Sequence, residues 1–478
     1  MESEMSSLER GLELGAGRER ATGSGWALAL LAFAQLIISL DLNIVFVALP
    51  EIGVGVGFSG QTLQWVVSAY TVFCGGFLLF GGRAADLIGQ RRVFVFALAL
   101  YALSSLAGGL AGSPAVIIAA RAIQGIGGAF LFPATLSLVN RLFAEGPERN
   151  RALAVWGGAG ASGLTIGSLA GGFLTAAFGW PAVFYVNVVL AALAIPATFF
   201  VIPRDPERRE RRRFDLPGAI TVTMGATLLV FTLVQGPDYG WTAPSILASA
   251  VLAAFFLLAF ALIEARSRDP LMPLRLFRNA SLVAGMTITF LYMATFGALP
   301  YFLTVLFQNV HGFSALETGL AFLVPSLAIA AGTQFGERLA TRIATRPTLI
   351  WGMLVGAVGT ALMVPGASIG AGYLAIVPGV IVSGVGQGIV WTAMWIAAAS
   401  GVHHDEQGVA SGMASTTLNL GNAVGLAILI AIANRHVGGL SGEALRGAMA
   451  EGAQLAFWLA ATGILVSLLA TVAVPRRR

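Results

Sequence analysis

Residues 71–109 read TVFCGGFLLFGGRAADLIGQRRVFVFALALYALSSLAGG, two apolar runs joined by a short charged segment. A membrane-spanning helix needs about 20 mostly apolar residues. The first run begins upstream of the quoted stretch, so both runs, 61–80 and 93–112, are long enough to cross a bilayer. The segment 81–92 would then be a tight turn at one membrane face. A membrane β-barrel would instead show alternating segments of about 10 residues, which are absent from this sequence. The stretch therefore predicts a helical hairpin in a membrane.

Apolar runs of this length recur along all 478 residues. The chain is 57% hydrophobic and 11% charged, with a mean hydropathy of +0.82, whereas a soluble domain carries about 25% charged residues. We predict about fourteen transmembrane helices, near residues 26–48, 61–80, 93–112, 114–138, 152–174, 181–202, 216–235, 244–264, 281–307, 315–335, 347–366, 372–400, 408–433 and 453–474. The expected fold class is an all-α polytopic membrane protein.

The distribution of basic residues predicts the orientation. All 28 basic residues are Arg, and the formal net charge is +5. They lie between the apolar runs, which membrane topology explains better than nucleic-acid binding. If the N-terminus is cytoplasmic, the inner segments hold 25 Arg, the outer loops hold only Arg435 and Arg446, and Arg121 lies within a span. We therefore expect a multi-pass plasma-membrane protein with both termini cytoplasmic, the lipid bilayer as a partner and no nucleic acid.

The spans group into two halves of similar length. Residues 1–25 lack the apolar core of a signal peptide and are predicted to be a cytoplasmic tail. Six spans follow in 26–202 and six in 281–478. Between them, 203–280 contains a basic loop, RDPERRERRR (204–213), and two inserted spans. Two six-helix halves are typical of a duplicated transporter whose site lies between the halves.

Two charges lie within predicted spans. Asp41 belongs to LDLNIVFVALP (40–50) and Arg121 to RAIQGIGGAFLFPA (121–134). Intramembrane charges are costly and usually functional, although Arg121 could also serve only to tie helices together. Asp41 lies about 22 Å from the inner end of its span and Arg121 about 10 Å from the outer end of its own. In a core of about 30 Å these depths are comparable, which permits an ion pair but leaves the facing of the two helices open.

The segment 81–92 carries the first family resemblance. Its residues Gly82, Asp86, Gly89, Arg91 and Arg92 resemble the signature loop of the major facilitator superfamily, with departures at Ala84 and Leu87. A degraded copy, GERLATRIATRP (336–347), occupies the equivalent place in the second half. The resemblance implies that this loop is a gating latch between the halves.

Other spans resemble further motifs of the same superfamily. Arg121, Gln124, Gly125, Gly127 and Gly128 are similar to its fourth-span motif. The segment WGGAGASGLTIGSLAGGFL (156–174) resembles its antiporter motif, with Ser168 in place of the usual Pro. Glycines four residues apart let helices touch backbone to backbone, and we expect this surface to seal the two halves toward one side. The glycines concerned are Gly163, Gly167, Gly171 and Gly172.

The first span and the middle of the chain narrow the resemblance. Asp41 and the closing Ala48-Leu49-Pro50 are similar to the first span of the fourteen-span drug:proton antiporters, with departures at Asn43 and Phe46. Further matches are FDLPGA (214–219), DPLMPLRLFRN (269–279) and QGVASGMASTTLNLGNAVG (407–425). On these motifs the chain is identified as a member of that multidrug-efflux family.

The resemblance implies the major facilitator fold, two six-helix bundles plus two extra central helices. It also implies proton-coupled efflux of lipophilic drugs or related small organic molecules by alternating access, driven by the proton gradient without a cofactor. We expect a monomer. Asp41 is the expected principal proton-coupling carboxylate and Arg121 the residue that tunes its proton affinity. Glu317, near the outer end of its span, is either a secondary proton site or an interfacial carboxylate.

Aromatic and amide side chains are the candidates for the substrate cavity. Pockets for lipophilic drugs need apolar walls with few polar groups, and polar groups inside a membrane need partners. Most aromatics in such helices only pack or face lipid, so this assignment competes with a structural one. The candidates are Gln124, Phe296, Trp391, Trp395, Asn419 and Asn422.

Other functions would place different demands on the sequence. A transporter of one specific metabolite, by export or by proton-coupled uptake, would have the same composition. A membrane-embedded enzyme would need a nucleophile–base or metal constellation, and the chain has four His, one Cys and no Lys. The run His403-His404-Asp405-Glu406 is a weak metal candidate, because adjacent residues rarely converge on one ion. We expect neither an enzyme nor a metal site.

Overall fold

The computed structural model describes the backbone of residues 2–58, 63, 65–205, 215–267, 270, 272–403, 406–433, 435 and 440–474. Within these ranges the chain is almost entirely helical and contains no strand. The predicted basic run 204–213 is described only at Arg204 and Asp205. His404 and Asp405 of the weak metal candidate also lie outside the described residues.

Six long helices form the first half. Two of them start with proline, which is favourable in a first helical turn because its missing N–H would be unpaired there. Glycines with positive φ, Gly89, Gly146 and Gly179, separate successive helices at short turns. The helices are α1 (Glu2–Val56), α2 (Trp65–Ile88), α3 (Gln90–Gly109), α4 (Pro114–Leu142), α5 (Pro147–Phe178) and α6 (Ala182–Val201).

The remaining helices comprise an inserted pair and the second half, in which several spans contain a local break. The inserted pair is α7 (Leu216–Tyr239) and α8 (Pro244–Arg266), followed by a 3₁₀ turn at Leu274–Arg278. The span Ala280–Val310 consists of α9 (Ala280–Thr295), a 3₁₀ turn, α10 (Leu299–Val305) and a π turn. The others are α11 (Ala315–Ala321), α12 (Leu323–Ile343), α13 (Thr345–Leu362), α14 (Tyr373–Ala399), α15 (Gln407–Ala433) and α16 (Gly442–Val466).

Thirteen helical segments in the described part are long and apolar enough to span a membrane. They match thirteen of the fourteen predicted spans. The remaining prediction, 152–174, lies in α5, whose 32 residues extend about 48 Å. This length exceeds the hydrocarbon core of about 30 Å, and the part of the helix at Leu169–Phe178 is apolar.

Some helices pack on one another within each half, and other helix pairs join the two halves. In the first half, α1 packs on α5 and α6, and α4 packs on α2 and α3. In the second, α14 packs on α12 and α13, and α15 packs on α9. The halves meet where α2 and α4 contact α15 and where α5 contacts α12 and α14. The inserted helix α7 packs on α2 and also contacts α15, so it touches both halves.

The predicted glycine stripe of α5 lies inside the first half. A Cβ at Gly163, Gly167 or Gly171 would lie 2.8, 2.4 or 2.8 Å from a backbone oxygen of α1. Gly172 is outside this tight contact, with its nearest neighbour at 4.0 Å. The stripe therefore joins α5 to α1, and the expectation that it seals one half against the other was wrong. Spacing predicted the close contact, but it carried no information about the partner helix.

The two halves pack most tightly on each other at one end. At the end that carries Gly89 and the turn after α14, consecutive residues are buried on every side in 133–140, 392–399 and 406–415. At the opposite end, buried and exposed residues alternate along the same helices α4, α14 and α15. We call the tightly packed side the closed end.

Candidate functional site

A buried ion pair lies in the middle of the first half. The Arg121 Nη1 atom of α4 lies 2.6 Å from the Asp41 Oδ2 atom of α1. The side chains are 1% and 0% exposed, respectively. The predicted pairing of these two charges is thus present, 80 residues apart in the sequence. Since desolvated charges are stable only when paired and hydrogen-bonded, the rest of this site has to satisfy both groups.

Amide side chains complete the coordination of the Asp41 carboxylate. Gln124 Nε2 and Asn187 Nδ2 donate to Asp41 Oδ1 at 2.9 and 2.6 Å. Gln124 Oε1 accepts from Arg121 Nη1 at 2.7 Å, and Gln124 Nε2 also donates to Ser105 Oγ at 2.8 Å. All these groups are buried. The carboxylate accepts three hydrogen bonds, so the arrangement fits its ionised form.

Two tyrosines and one carbonyl enclose the guanidinium group. Arg121 Nε donates to the Val66 carbonyl oxygen at 2.9 Å. Its Cζ atom lies 4.5 Å from the centre of the Tyr70 ring, a cation–π geometry, and Tyr101 packs edge-on against Tyr70. The Asp41 network thereby involves α1, α2, α3, α4 and α6, and it couples these five helices.

Sequence analysis identified Asp41, Arg121 and Gln124 but missed other members of the network. Asn187 stands alone as an amide in the apolar run AVFYVNVVLAALA, and an isolated buried amide needs a partner. That signal could have marked it as a site residue. Ser105, Tyr70 and Tyr101 are of types common in membrane helices, so the sequence offered no comparable signal for them.

Asp86 joins the two halves at the closed end. It lies in the last turns of α2, because the segment predicted as a turn, 81–92, is helical up to Ile88. Its Oδ1 and Oδ2 atoms accept the backbone N–H groups of Gly408 and Val409, at 2.9 and 2.7 Å. These N–H groups belong to the first turn of α15, where the helix dipole favours a negative charge. Gly82 permits the approach, because a Cβ there would lie 2.4 Å from the Gly408 oxygen. We refer to the Asp86–α15 contact as the latch.

The other loop residues bind within the first half. Gly89 has φ +115°, and a Cβ there would lie 2.4 Å from Asp205 Oδ2. Asp205 accepts the backbone N–H groups of Arg91 and Arg92 at 3.0 and 3.2 Å and pairs with Arg141 Nη1 at 2.9 Å. This carboxylate caps α3 and ties it to the ends of α4 and α6. Sequence analysis missed Asp205, although an acid directly after a span was visible.

The repeat at 336–347 reproduces the backbone turn at Gly89 but not the carboxylate contact of the latch. Ala344, between α12 and α13, has φ +69°, the left-handed conformation that Gly89 adopts between α2 and α3. At this turn the halves meet through Asn150 Nδ2, which donates to Thr341 Oγ1 at 3.2 Å. The second half therefore contributes a neutral contact where the first contributes a carboxylate.

The predicted tryptophan pair lies at the interface between the halves. The Trp391 ring stacks on Trp156 of α5 at 6.2 Å, and Trp395 lies edge-on to both rings at 5.8 Å. Phe132 of α4 packs on Trp156 and Trp395 at 5.3 and 5.9 Å. Phe132 and Trp156, missed by the sequence analysis, supply the first half's share of this aromatic cluster.

Phe296 borders the aromatic cluster. It reaches Trp391 through Tyr292, with ring centres 5.2 and 5.6 Å apart in turn. The two voids that adjoin these rings among the described residues leave no space for even a water molecule. Small-molecule pockets usually measure roughly 300–1,000 Å³. In this conformation the predicted cavity is therefore filled by its own side chains.

The remaining predicted residues lie apart from the ion pair. Asn419 Nδ2 donates to the Ser415 oxygen of its own helix at 3.1 Å, and Asn422 lies against Gly297. Glu317 is exposed and forms a capping box with Ser314 at the start of α11. This position favours the interfacial interpretation of Glu317 over a secondary proton site.

Two helical bundles that meet around a central site are typical of membrane transporters that work by alternating access. Here the bundles meet around the aromatic cluster, and the buried charged network lies beside it. The chain belongs to the Major Facilitator Superfamily, whose family model matches residues 31–426. The predicted fold is confirmed by solved structures. The human organic anion transporter MFSD10 superposes with a TM-score of 0.68 at 18% identity, covering 94% of this chain and 99% of its own. The proton:xylose symporter XylE superposes with a TM-score of 0.67 at 13% identity, covering 94% of this chain and 95% of its own.

Sequence relatives include several antibiotic exporters and resistance proteins. The cephamycin export protein CmcT of Amycolatopsis lactamdurans is 37% identical, over 87% of this chain and 86% of its own. The puromycin resistance protein of Streptomyces alboniger is 36% identical over 84% and 80%. The lincomycin resistance protein of Streptomyces lincolnensis is 33% identical over 95% and 92%. The predicted resemblance to drug exporters is confirmed at the level of the family.

Proposed function

We propose that this protein exports lipophilic drugs or related small organic molecules across the plasma membrane in exchange for protons. Relatives named for export of cephamycin and for resistance to puromycin and lincomycin support the substrate class. The observation that carries the proton coupling is the buried Asp41 carboxylate, held by Arg121, Gln124 and Asn187. We also propose a monomer with both termini cytoplasmic, no enzymatic activity and no cofactor.

Protonation of Asp41 would alter the packing of the first half. The carboxylate now accepts from three donors, and a protonated acid would become a donor at one oxygen. Asn187 Oδ1 has no hydrogen-bond partner among the described residues and is available to accept after a side-chain rotation. Arg121 would lose its ion-pair partner. Loading a proton therefore moves donors on α4 and α6, the helices that Asp41 holds against α1.

The closed end identifies which conformation of the proposed cycle the structure represents. With the proposed topology, the latch lies on the cytoplasmic side, so this conformation is closed to the cytoplasm. Substrate leaves, and Asp41 takes up a proton from outside, when the opposite end opens. Opening the latch exposes the aromatic cluster to the cytoplasm, where substrate enters and the proton departs.

Reconstitution of the purified protein into liposomes tests this function. A fluorescent lipophilic cation and a neutral aromatic drug are loaded in turn, and proton flux is recorded with an internal pH dye. We expect an imposed proton gradient to drive substrate in the direction opposite to the protons. Movement of substrate and protons in the same direction would instead identify an uptake symporter.

A further inference from the structure

Two carboxylates lie at the first turn of α15. Asp86 comes from α2 and accepts the backbone N–H groups of Gly408 and Val409. Glu406 directly precedes α15 in the chain and is 3% exposed. A helix N-terminus carries roughly half a positive charge, which stabilises about one anion better than two. Two carboxylates in one turn also repel each other, strongly so where water is excluded.

Arg275 neutralises the second of these carboxylates. Its Nη2 and Nη1 atoms lie 2.6 and 3.0 Å from Glu406 Oε1 and Oε2, a bidentate ion pair. The guanidinium side chain is 63% exposed, whereas its partner is buried. Such an arrangement leaves Glu406 charged without leaving it unpaired.

The linker after the inserted helices positions this arginine. Arg275 lies in the 3₁₀ turn Leu274–Arg278, between α8 and α9. Directly after the turn, Asn279 Nδ2 donates to the Ser400 oxygen at 3.1 Å, and Ser281 Oγ donates to the Ala397 oxygen at 2.8 Å. These bonds fix the linker to the end of α14, beside the turn that leads into α15.

We propose that Arg275 is a positioning residue of the latch, which compensates the charge of Glu406 so that Asp86 can dock on α15. The arginine acts through Glu406 and makes no contact with Asp86. Without it, the buried Glu406 charge would compete with Asp86 for the helix N-terminus and open the closed end. The inference deepens the proposed alternating-access function, since it assigns to the inserted segment a role in holding one conformation.

Cross-linking across the closed end measures the latch directly. Asn150→Cys and Thr341→Cys are introduced into a Cys74→Ser background, because the native side chains lie 3.2 Å apart across the halves. The rate of cross-linking by a short bifunctional thiol reagent is measured in detergent and in liposomes. Arg275→Gln should lower this rate by roughly threefold or more, the size of a charge effect at a helix terminus. Arg278→Gln, at an exposed arginine in the same turn, is the matched control and should leave the rate unchanged.

Removing the Glu406 charge distinguishes charge compensation by Arg275 from a purely mechanical role of the ion pair in holding the linker. Glu406→Gln alone should keep the wild-type rate or raise it, and Arg275→Gln combined with Glu406→Gln should restore it. If the ion pair only holds the linker in place, Glu406→Gln alone will lower the cross-linking rate as Arg275→Gln does. The double variant will then not recover the wild-type rate. That result overturns the proposal, and the Glu406→Gln arm decides it even if Arg275→Gln fails to accumulate. The readout needs no drug, so failure of drug export in liposomes is a separate result.

Discussion

At the scale of single residues, the central feature is a carboxylate that is fully coordinated inside a membrane bundle. Arg121, Gln124 and Asn187 all donate to Asp41, and the four side chains are buried. Removing one partner of a buried pair usually costs several kcal/mol, about 3–5, because it leaves the other charge unpaired. We therefore expect a change in the charge of Asp41 to disturb the whole network.

We predict that Asp41→Asn abolishes uphill, proton-driven efflux but spares part of the downhill exchange. The amide keeps the shape of the protonated acid but cannot release a proton, so transport is no longer tied to proton movement. The measurement is substrate-induced proton release in everted vesicles, compared with the wild type. Glu317→Gln is the matched control, because Glu317 is exposed and only caps α11. If Asp41→Asn still drives substrate against its gradient, the coupling carboxylate lies elsewhere.

At the scale of helices, close contacts between α1 and α5 and between α2 and α15 depend on glycine. Gly167 faces the Leu40 oxygen of α1, and Gly82 faces the Gly408 oxygen of α15. The first contact lies within one half, and the second joins the halves. Changes at these contacts should therefore have different consequences, for stability in the first case and for the conformational cycle in the second.

We predict that Gly167→Ala destabilises the protein. Its new Cβ would lie 2.4 Å from a backbone oxygen, so α1 and α5 must move apart, and overpacking of this kind costs about 1–3 kcal/mol. Gly172→Ala is the control, since its nearest neighbour lies at 4.0 Å and alanine is the better helix former. Thermal unfolding of the purified proteins compares them. Equal melting temperatures for the two variants would contradict the tight α1–α5 contact.

We predict that Asp86→Asn leaves the protein in the membrane but slows transport. The amide loses the charge that favours docking at the N-terminus of α15, which is worth about 0.3–1 kcal/mol or more where the site is buried. Asp215→Asn is a matched control, because Asp215 caps its own helix α7 at Gly218 and does not join the halves through that bond. Initial rates at equal membrane levels are compared. Wild-type turnover in Asp86→Asn would leave the loop as a simple turn.

At the scale of the whole molecule, the tight packing of one end identifies which side the halves have closed. Buried residues in 133–140, 392–399 and 406–415 belong to α4, α14 and the start of α15, and Asp86 bridges the halves at the same end. The Arg-rich segments predict that this end is cytoplasmic. Which end is closed and which end is cytoplasmic are thus separate questions, and each needs its own experiment.

We predict that reporter tags at the two termini and within 203–215 are cytoplasmic, and that tags within 236–243 and 434–452 are extracytoplasmic. The reason is the distribution of 25 Arg residues in the inner segments against two in the outer loops. Paired reporter fusions, one active only inside and one only outside the membrane, measure each position. A C-terminal tag that reports from outside would require an odd number of spans.

The sequence by itself determined the membrane class, the positions of the helices and the identity of many site residues. Hydropathy and the spacing of Arg are local properties, so thirteen of the predicted spans reappear as apolar helices of sufficient length. Asp41 and Arg121 were visible because a charge within a membrane segment is costly and usually functional. Asp86 was visible because its segment resembles a family motif. The depth of Asp41 and Arg121 in the bilayer also followed, since each helical residue advances about 1.5 Å.

Only the tertiary structure decided which side chains meet. Depth fixes the position of a residue along its helix but not the direction in which it points around the axis. The Gly163–Gly171 stripe could therefore be predicted as a contact, and its partner was still misassigned. Asp86 binds N–H groups 322 and 323 residues away, and Asn187 meets Asp41 across 146 residues. Rotation about each helix axis is settled by packing against several neighbours at once, and no local property of the chain encodes it.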